Sequence, residues 1–251
     1  MTAEPPSGTG DPAADRPLVA GAGESALEAA LAEAREAEAR SRRFLADAAH
    51  QLRTPIAGIQ AAAENLLRGV EPEDADLLLA DVVRETARAA RLITSLLRIA
   101  RLDQGEPMIM APCDLVALCA DEIDRTWSFA PNLDFVLRAE GLPSGEPELD
   151  ADALREVLAN LLDNARRYAD DKIEVLLAPV ADGVGIRVVD DGPGVLAGME
   201  ERIFERFVSI GNPAGSGLGL PIGRELARRH GGELTYSDGS FLLRLPVARW
   251  G

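Results

Sequence analysis

Lysine is almost missing from this chain. Lys172 is the only one in 251 residues, and 26 basic side chains stand against 42 Asp and Glu, giving a formal net charge of −16. Duplex phosphates and anionic bilayer surfaces are held through clusters of Lys and Arg, so an excess of acid of this size repels both and excludes nucleic acid as an expected partner. Cysteine is scarce too: Cys113 and Cys119 lie six apart, a spacing that suggests neither a disulfide framework nor a zinc site, and a reducing cytoplasm fits. No hydrophobic run approaches the length of a membrane span, and the N-terminus lacks the basic start and apolar centre of a signal peptide. No internal repeat is visible.

What remains is enough for two modest domains, each able to bury a core. Residues 1–23 are rich in Pro, Gly, Ala and acid without periodicity and are expected to be disordered or a linker. From Glu24 the composition turns to Ala, Glu, Leu and Arg, and Ser25 is positioned to cap a long helix. Within it, Leu45, Leu52, Ile59 and Leu66, with Ala49, Ile56 and Ala63 between them, form a seven-residue seam that wants partner helices. His50 lies one step off that seam. Its ring is expected at the edge of the bundle, reachable by solvent, where a neutral imidazole can act as a nucleophile. Pro55 removes one backbone donor about a turn later and is expected to kink the helix.

Gly69 and Pro72 are expected to end this helix and Asp74 to open a second, whose Leu79, Val82, Thr86, Ala89, Ile93, Leu96 and Ala100 repeat the pattern. A two-helix hairpin cannot bury so wide an apolar face alone, so two chains are expected to pair into a four-helix bundle, a homodimer. Asp103-Gln-Gly105 reads as a hinge, dividing a hairpin over 24–104 from a second domain over 105–251. There the pattern gives strands at 108–110, 133–139, 173–178, 185–189, 234–236 and 241–245. Helices are expected from the Asp114 cap to Trp127, over 151–167 and over 218–230, with hairpin turns at Asp182-Gly183 and Asp238-Gly239. The fold class is α+β: the helical hairpin, then an α/β sandwich in which one face of a mixed sheet is covered by helices.

Phe44, His50, Leu52-Arg53-Thr54-Pro55 and Ile59 resemble the phospho-acceptor box of sensor histidine kinases, with Ala49 and Gln51 where that family usually has Ser and Glu. Four more motifs follow in the order used by the histidine-kinase branch of the Bergerat ATPases. Asn160-Leu-Leu-Asp-Asn164-Ala-Arg-Arg-Tyr168 is similar to the N box, whose amides four apart share one helix face. Asp190-Asp-Gly192-Pro-Gly194 resembles the first glycine box, Ile203-Phe204-Glu-Arg206-Phe207 the F box, and Gly215-Ser-Gly217-Leu218-Gly219 the second glycine box, opening a helix whose free N–H groups suit phosphate.

The resemblance implies ATP and Mg2+ as cofactors and a Bergerat ATP-binding fold for 105–251. By it Asn164 is the metal ligand, Asn160 joins it at the triphosphate, Arg167 contacts phosphate and Tyr168 walls the pocket. Asp190 would accept a hydrogen bond from the adenine amino group, since an ionised carboxylate accepts but does not donate. Residues 208–214 would form a lid, and because Val208 and Ser209 stand where the family often has a second arginine, Arg206 is expected to be the phosphate-facing cation. The implied activity is phosphorylation of His50 and transfer to a response regulator, with Gln51 beside the reacting ring and Thr54 placed to orient water for dephosphorylation. Localisation is expected to be cytoplasmic, or the cytoplasmic portion of a membrane sensor, with input from an upstream sensor or partner. Two other readings stay open, a kinase-impaired scaffold or phosphatase that binds nucleotide and regulator, and a Bergerat ATPase without phosphohistidine. His230, beside Gly231-Gly232, is expected to cap its helix as a partial cation.

Overall fold

A computed structural model describes residues 17–209 and 215–247, with side chains from Leu27 onward apart from Ala37 and Arg40. The expected linker therefore lies outside the described residues up to position 16. The chain divides into two units, Met1–His50 and Gln51–Gly251, and the first helix, α1 (Pro17–Arg68), runs through the division. It already includes Pro17–Glu24, so it does not start at a Ser25 cap, and 17–23 of the expected linker are helical. It also continues unbroken through Pro55. His50 and Thr54 are exposed on it, and Gln51 is half-buried.

Gly69, at φ +83°, turns the chain out of α1. The second helix, α2 (Pro72–Asp103), starts on Pro72, which opens it where the sequence suggested a terminator, because proline suits a first turn whose N–H groups have no partner anyway. In the second unit the two helices touch closely: a Cβ on Gly58 would stand 3.3 Å from the Glu85 side chain. Pro55 and Ala62 of α1 are buried, as are Leu92, Ile99 and Leu102 of α2. Leu52, Ile59, Leu66, Val82 and Leu96 are half-buried, while Ile56, Leu79 and Ile93 stay exposed at 48%, 52% and 47%.

After α2 come a short strand β1 (Ala111–Pro112), α3 (Leu115–Trp127), β2 (Asp134–Ala139), β3 (Glu148–Leu149) and α4 (Ala151–Tyr168). The strand expected over 108–110 begins instead at Ala111, because the Ile109 N–H is taken by the Asp150 carboxylate at 2.7 Å and not by a ladder. Asp114 and Asp150 cap α3 and α4, accepting from Ala117 N and Ala153 N at 2.9 and 3.0 Å. Then follow β4 (Lys172–Val180), β5 (Gly183–Asp190), a 3-10 turn (Arg202–Phe204), α5 (Gly219–Arg229), β6 (Glu233–Ser237) and β7 (Ser240–Pro246).

The main sheet has the order β2-β4-β5-β7-β6, with β2 and β4 parallel and every other neighbour antiparallel. Ile173, Val175 and Leu177 of β4 alternate inward with Val184, Ile186 and Val188 of β5, and meet Leu154, Leu158, Leu161 and Leu162 of α4 in one core. Gly183 is not the turn residue the sequence suggested: the β4–β5 loop is Ala181–Asp182, and Gly183 pairs with Pro246. Its glycine has another cause, since a Cβ there would meet the Leu245 carbonyl oxygen at 2.0 Å. His230 joins the two helix ends: Nδ1 donates to Leu226 O at 2.9 Å and Nε2 accepts from Asp150 N at 3.2 Å. The capping role stands.

Candidate active site

One cavity of about 550 Å³ opens in the second unit. Its walls come from α4 (Asn160, Asp163, Asn164, Arg167, Tyr168), from the end of β5 and the loop after it (Asp190, Gly194, Val195) and from the start of α5 (Gly219, Leu220, Pro221). The loop before α5 adds Gly215, Ser216 and Gly217, and β6 and β7 add Tyr236 and Phe241. The hairpin closes it with Gln51 of α1 and Arg88, Arg91, Thr94 and Ser95 of α2.

At one end stands Asp190, half-buried. Burial pushes its carboxyl above the ordinary carboxylate range and the Asp191 charge adds to this, while a hydrogen bond from Gly192 N at 3.2 Å works the other way. Gly192 must be glycine, because a Cβ would lie 2.1 Å from the Tyr168 carbonyl oxygen. The neighbouring Asp191 carboxylate accepts from the backbone of Asp170, Asp171 and Lys172 at 2.9, 3.1 and 3.0 Å, fastening the end of β5 to the exit from α4. Gly194, at φ +69°, turns the chain so that Val195 N donates to Tyr236 Oη at 3.0 Å. A half-buried carboxylate beside aromatic and aliphatic walls suits a flat base carrying an amino group.

The other end is built on the N-terminus of α5. Gly219 sits against Asn160, whose Oδ1 would be 2.9 Å from a Cβ there, so the amide and the free N–H groups of the helix converge. Gly217, at φ +65°, accepts at its carbonyl from Phe207 N at 2.8 Å. Along α4, Asp163 holds both Arg166 and Arg167; its carboxyl lies below the usual range because, although burial raises it, the two guanidinium groups outweigh that.

Of the residues singled out in the sequence, the fold gathers Gln51, Asn160, Asn164, Arg167, Tyr168, Asp190, Gly194, Gly215, Gly217 and Gly219 around this cavity. Gly192, Phe204, Phe207 and Leu218 stand behind its walls and not on them. Arg206 does not line the cavity either, and its guanidinium is paired with Asp103 of the hinge at 3.0 and 3.4 Å. Most of the lid, 210–214, lies outside the described residues. Reading by motif missed Arg88, Arg91, Thr94 and Ser95, which belong to α2, and Tyr236 and Phe241 of the last hairpin. The spacing of Arg88, Arg91 and Ser95 at three and four residues was the available signal, since it places all three on one helix face.

The donor set fits a magnesium nucleotide. Asn164 lines the cavity, and its amide oxygen is the kind of hard donor that magnesium takes alongside phosphate oxygens and water. The volume suits a nucleotide-sized ligand. No described helix is long and apolar enough to cross a membrane.

Residues 149–249 match the family of histidine kinase-, DNA gyrase B- and HSP90-like ATPases, and residues 40–105 match the His Kinase A (phospho-acceptor) domain. The "Probable sensor histidine kinase TcrY" of Mycobacterium tuberculosis is 35% identical over 236 residues, which are 89% of this chain and 50% of that protein. The swarming motility regulation sensor protein RssA of Serratia marcescens is 34% identical over 222 residues, covering 84% and 47%. The chain thus spans about half the length of the curated relatives it matches. The solved Acinetobacter baumannii histidine kinase AdeS shares the fold, with a TM-score of 0.66 at 21% identity over 80% of this chain and 98% of that one. With both domains matched in order and the fold shared, the chain belongs to the sensor histidine kinases of two-component systems, of which it is a catalytic core.

Proposed function

We propose that this chain is an ATP-dependent protein histidine kinase that phosphorylates His50 and passes the phosphoryl group to an aspartate of a response regulator. The supporting observation is the convergence of Asn160, Asn164, Asp190 and the glycine-lined start of α5 on one nucleotide-sized cavity, in a chain that exposes an imidazole at His50. In this reading 24–104 is the dimerisation and phosphotransfer hairpin and 105–251 the ATP-binding domain. Asp190 accepts the adenine amino group, Tyr168 flanks the base, and Asn160 with the α5 N-terminus holds phosphate. Asn164 is the magnesium ligand; the bound ion neutralises phosphate oxygens.

The bond from the γ-phosphorus to the bridging oxygen breaks, leaving ADP, and a P–N bond forms at Nε2 of His50. The other nitrogen then carries the ring proton, and Gln51, whose oxygen accepts but takes no proton, orients that tautomer. In the second step the P–N bond breaks as a regulator carboxylate oxygen takes the phosphorus. Thr54, exposed one turn after His50, is suited to orient water for the reverse loss of phosphate from the regulator. Such transfers depend on positioning and charge neutralisation more than on covalent help, which suits a ring and a nucleotide carried by separate elements.

The exposed apolar positions Ile56, Leu79 and Ile93 support a homodimer through the hairpin. The chemistry assigns the reaction to the cytoplasmic side, where ATP is held. Incubation with γ-labelled ATP and magnesium tests the reading: the label should be acid-labile and alkali-stable and vanish in His50→Gln and Asn164→Asp. A protein that binds ATP yet never takes label at His50 would favour the kinase-impaired scaffold, for which Gln51 is the motivating feature. Label stable to acid would point to another acceptor.

A further inference from the structure

A triphosphate needs cationic neighbours, and in a chain of net charge −16 these must be local. Among the described residues, the cations lining the cavity are Arg88, Arg91 and Arg167. Arg167 is held by Asp163, and Arg88 lies 3.9 Å from Glu85. Arg206 is committed to Asp103, and Arg98 to Glu156 and Glu106. Positions 208–216 contain no basic residue at all. Arg91 is exposed, lines the cavity and has no ion pair among the described residues.

Its placement is fixed by the neighbouring helix. Arg98 Nε donates to Glu156 Oε2 at 2.7 Å, pinning α2 to α4. Seven residues from this clamp, about 10.5 Å along each axis, lie Arg91 on α2 and Asp163 on α4, and the intervening turns contribute Ser95 and Asn160 to the same cavity. We infer that Arg91 is a specificity-determining residue that contacts the terminal phosphate of the nucleotide, so that the hairpin itself distinguishes ATP from ADP. The inference rests on the nucleotide reading above and adds the hairpin as a source of ligand contacts.

A guanidinium on a terminal phosphate forms charge-assisted bonds that ADP cannot offer. Isothermal titration of the full chain with a non-hydrolysable ATP analogue and with ADP, both with magnesium, tests this. Arg91→Ala should lose about ten- to a hundredfold in affinity for the triphosphate and less than threefold for ADP. Arg91→Lys, which keeps the charge without the fork, should fall between, and the melting temperatures should match because the residue is exposed. Unchanged triphosphate affinity in Arg91→Ala, or equal losses for both nucleotides, overturns the inference while wild-type binding leaves the nucleotide reading standing. Wild-type protein that binds neither nucleotide overturns both.

Discussion

Replacing Gly192 with alanine tests whether the base end of the cavity is built by backbone contact. The new Cβ would stand 2.1 Å from the Tyr168 carbonyl oxygen, 2.7 Å from its carbon and 2.9 Å from Asp190 Oδ1. Carbon and oxygen in ordinary contact need well over 3 Å, so the end of α4 and the 190–192 turn must part by about 1 Å. Neither can yield freely, since Asp191 is bound to three successive backbone N–H groups just beyond α4. Overpacking of this kind costs about 1–3 kcal/mol, and in a chain of this size each of these lowers the melting temperature by about 2–4 °C. Displacing the Asp190 carboxyl by about 1 Å should also weaken adenine nucleotide binding tenfold or more. Gly183→Ala is the matched control: its Cβ would meet Leu245 O at 2.0 Å, but its neighbours are Leu245, Pro246 and Val247, none of which lines the cavity, whereas Gly192 abuts the cavity residues Tyr168 and Asp190. It should lower the melting temperature and leave the folded protein's affinity intact. Thermal melts with titration of a fluorescent ATP analogue separate the two. A Gly192→Ala protein with wild-type melting and affinity, or equal loss of affinity in both variants, would refute the reasoning.

Three further outcomes are expected. Gln51→Glu should speed His50 phosphorylation, because a carboxylate can take the ring proton where an amide cannot; general-base help is typically worth roughly 10²–10⁴-fold, and an unaltered single-turnover rate would remove that role. Burial works to raise the Asp150 carboxyl, but hydrogen bonds from Ala153 N and Ile109 N prevail and hold it below the usual range. With the folded value below the unfolded one, its stabilisation is present above about pH 4 and lost as pH falls through the folded value, so Asp150→Asn should flatten the acid limb of a melting-temperature profile, and parallel limbs would contradict this. Ile56→Glu combined with Ile93→Glu should turn dimers into monomers in sedimentation velocity, and an undisturbed dimer would exclude that face.

Elements governed by local pattern were legible, and those governed by distant partners were not. The amphipathic α4 follows Asp150 as its period requires, and Asp238-Gly239 is a tight hairpin turn with both residues at positive φ, 51° and 73°. The other hairpin misled because Gly183 is glycine for a carbonyl on β7, not for turning the chain. Arg206 shows a related limit: a motif gives residue type and spacing, but its pairing with Asp103 is decided by tertiary contact. The converse holds for Arg91, which no motif marks and which packing brings to the cavity.

The F box shows why motif residues need not touch a ligand to matter. Phe204 is buried, edge-on to Phe241 with centroids 6.3 Å apart, and the Arg224 guanidinium lies 4.5 Å from its ring centre. Phe241 lines the cavity, so Phe204 braces a wall from behind. Phe207 holds φ +66°, a region costly for a residue with a Cβ, and its N–H is bound to Gly217 O at 2.8 Å. Gly217 must be glycine there, because a Cβ would meet the Phe207 carbonyl carbon at 2.6 Å. Phe207 and Gly217 are therefore fastened to each other, a strained phenylalanine against a glycine. Two residues on from Gly217, Gly219 at the start of α5 sits against Asn160, so this fastening lies next to the phosphate end of the cavity.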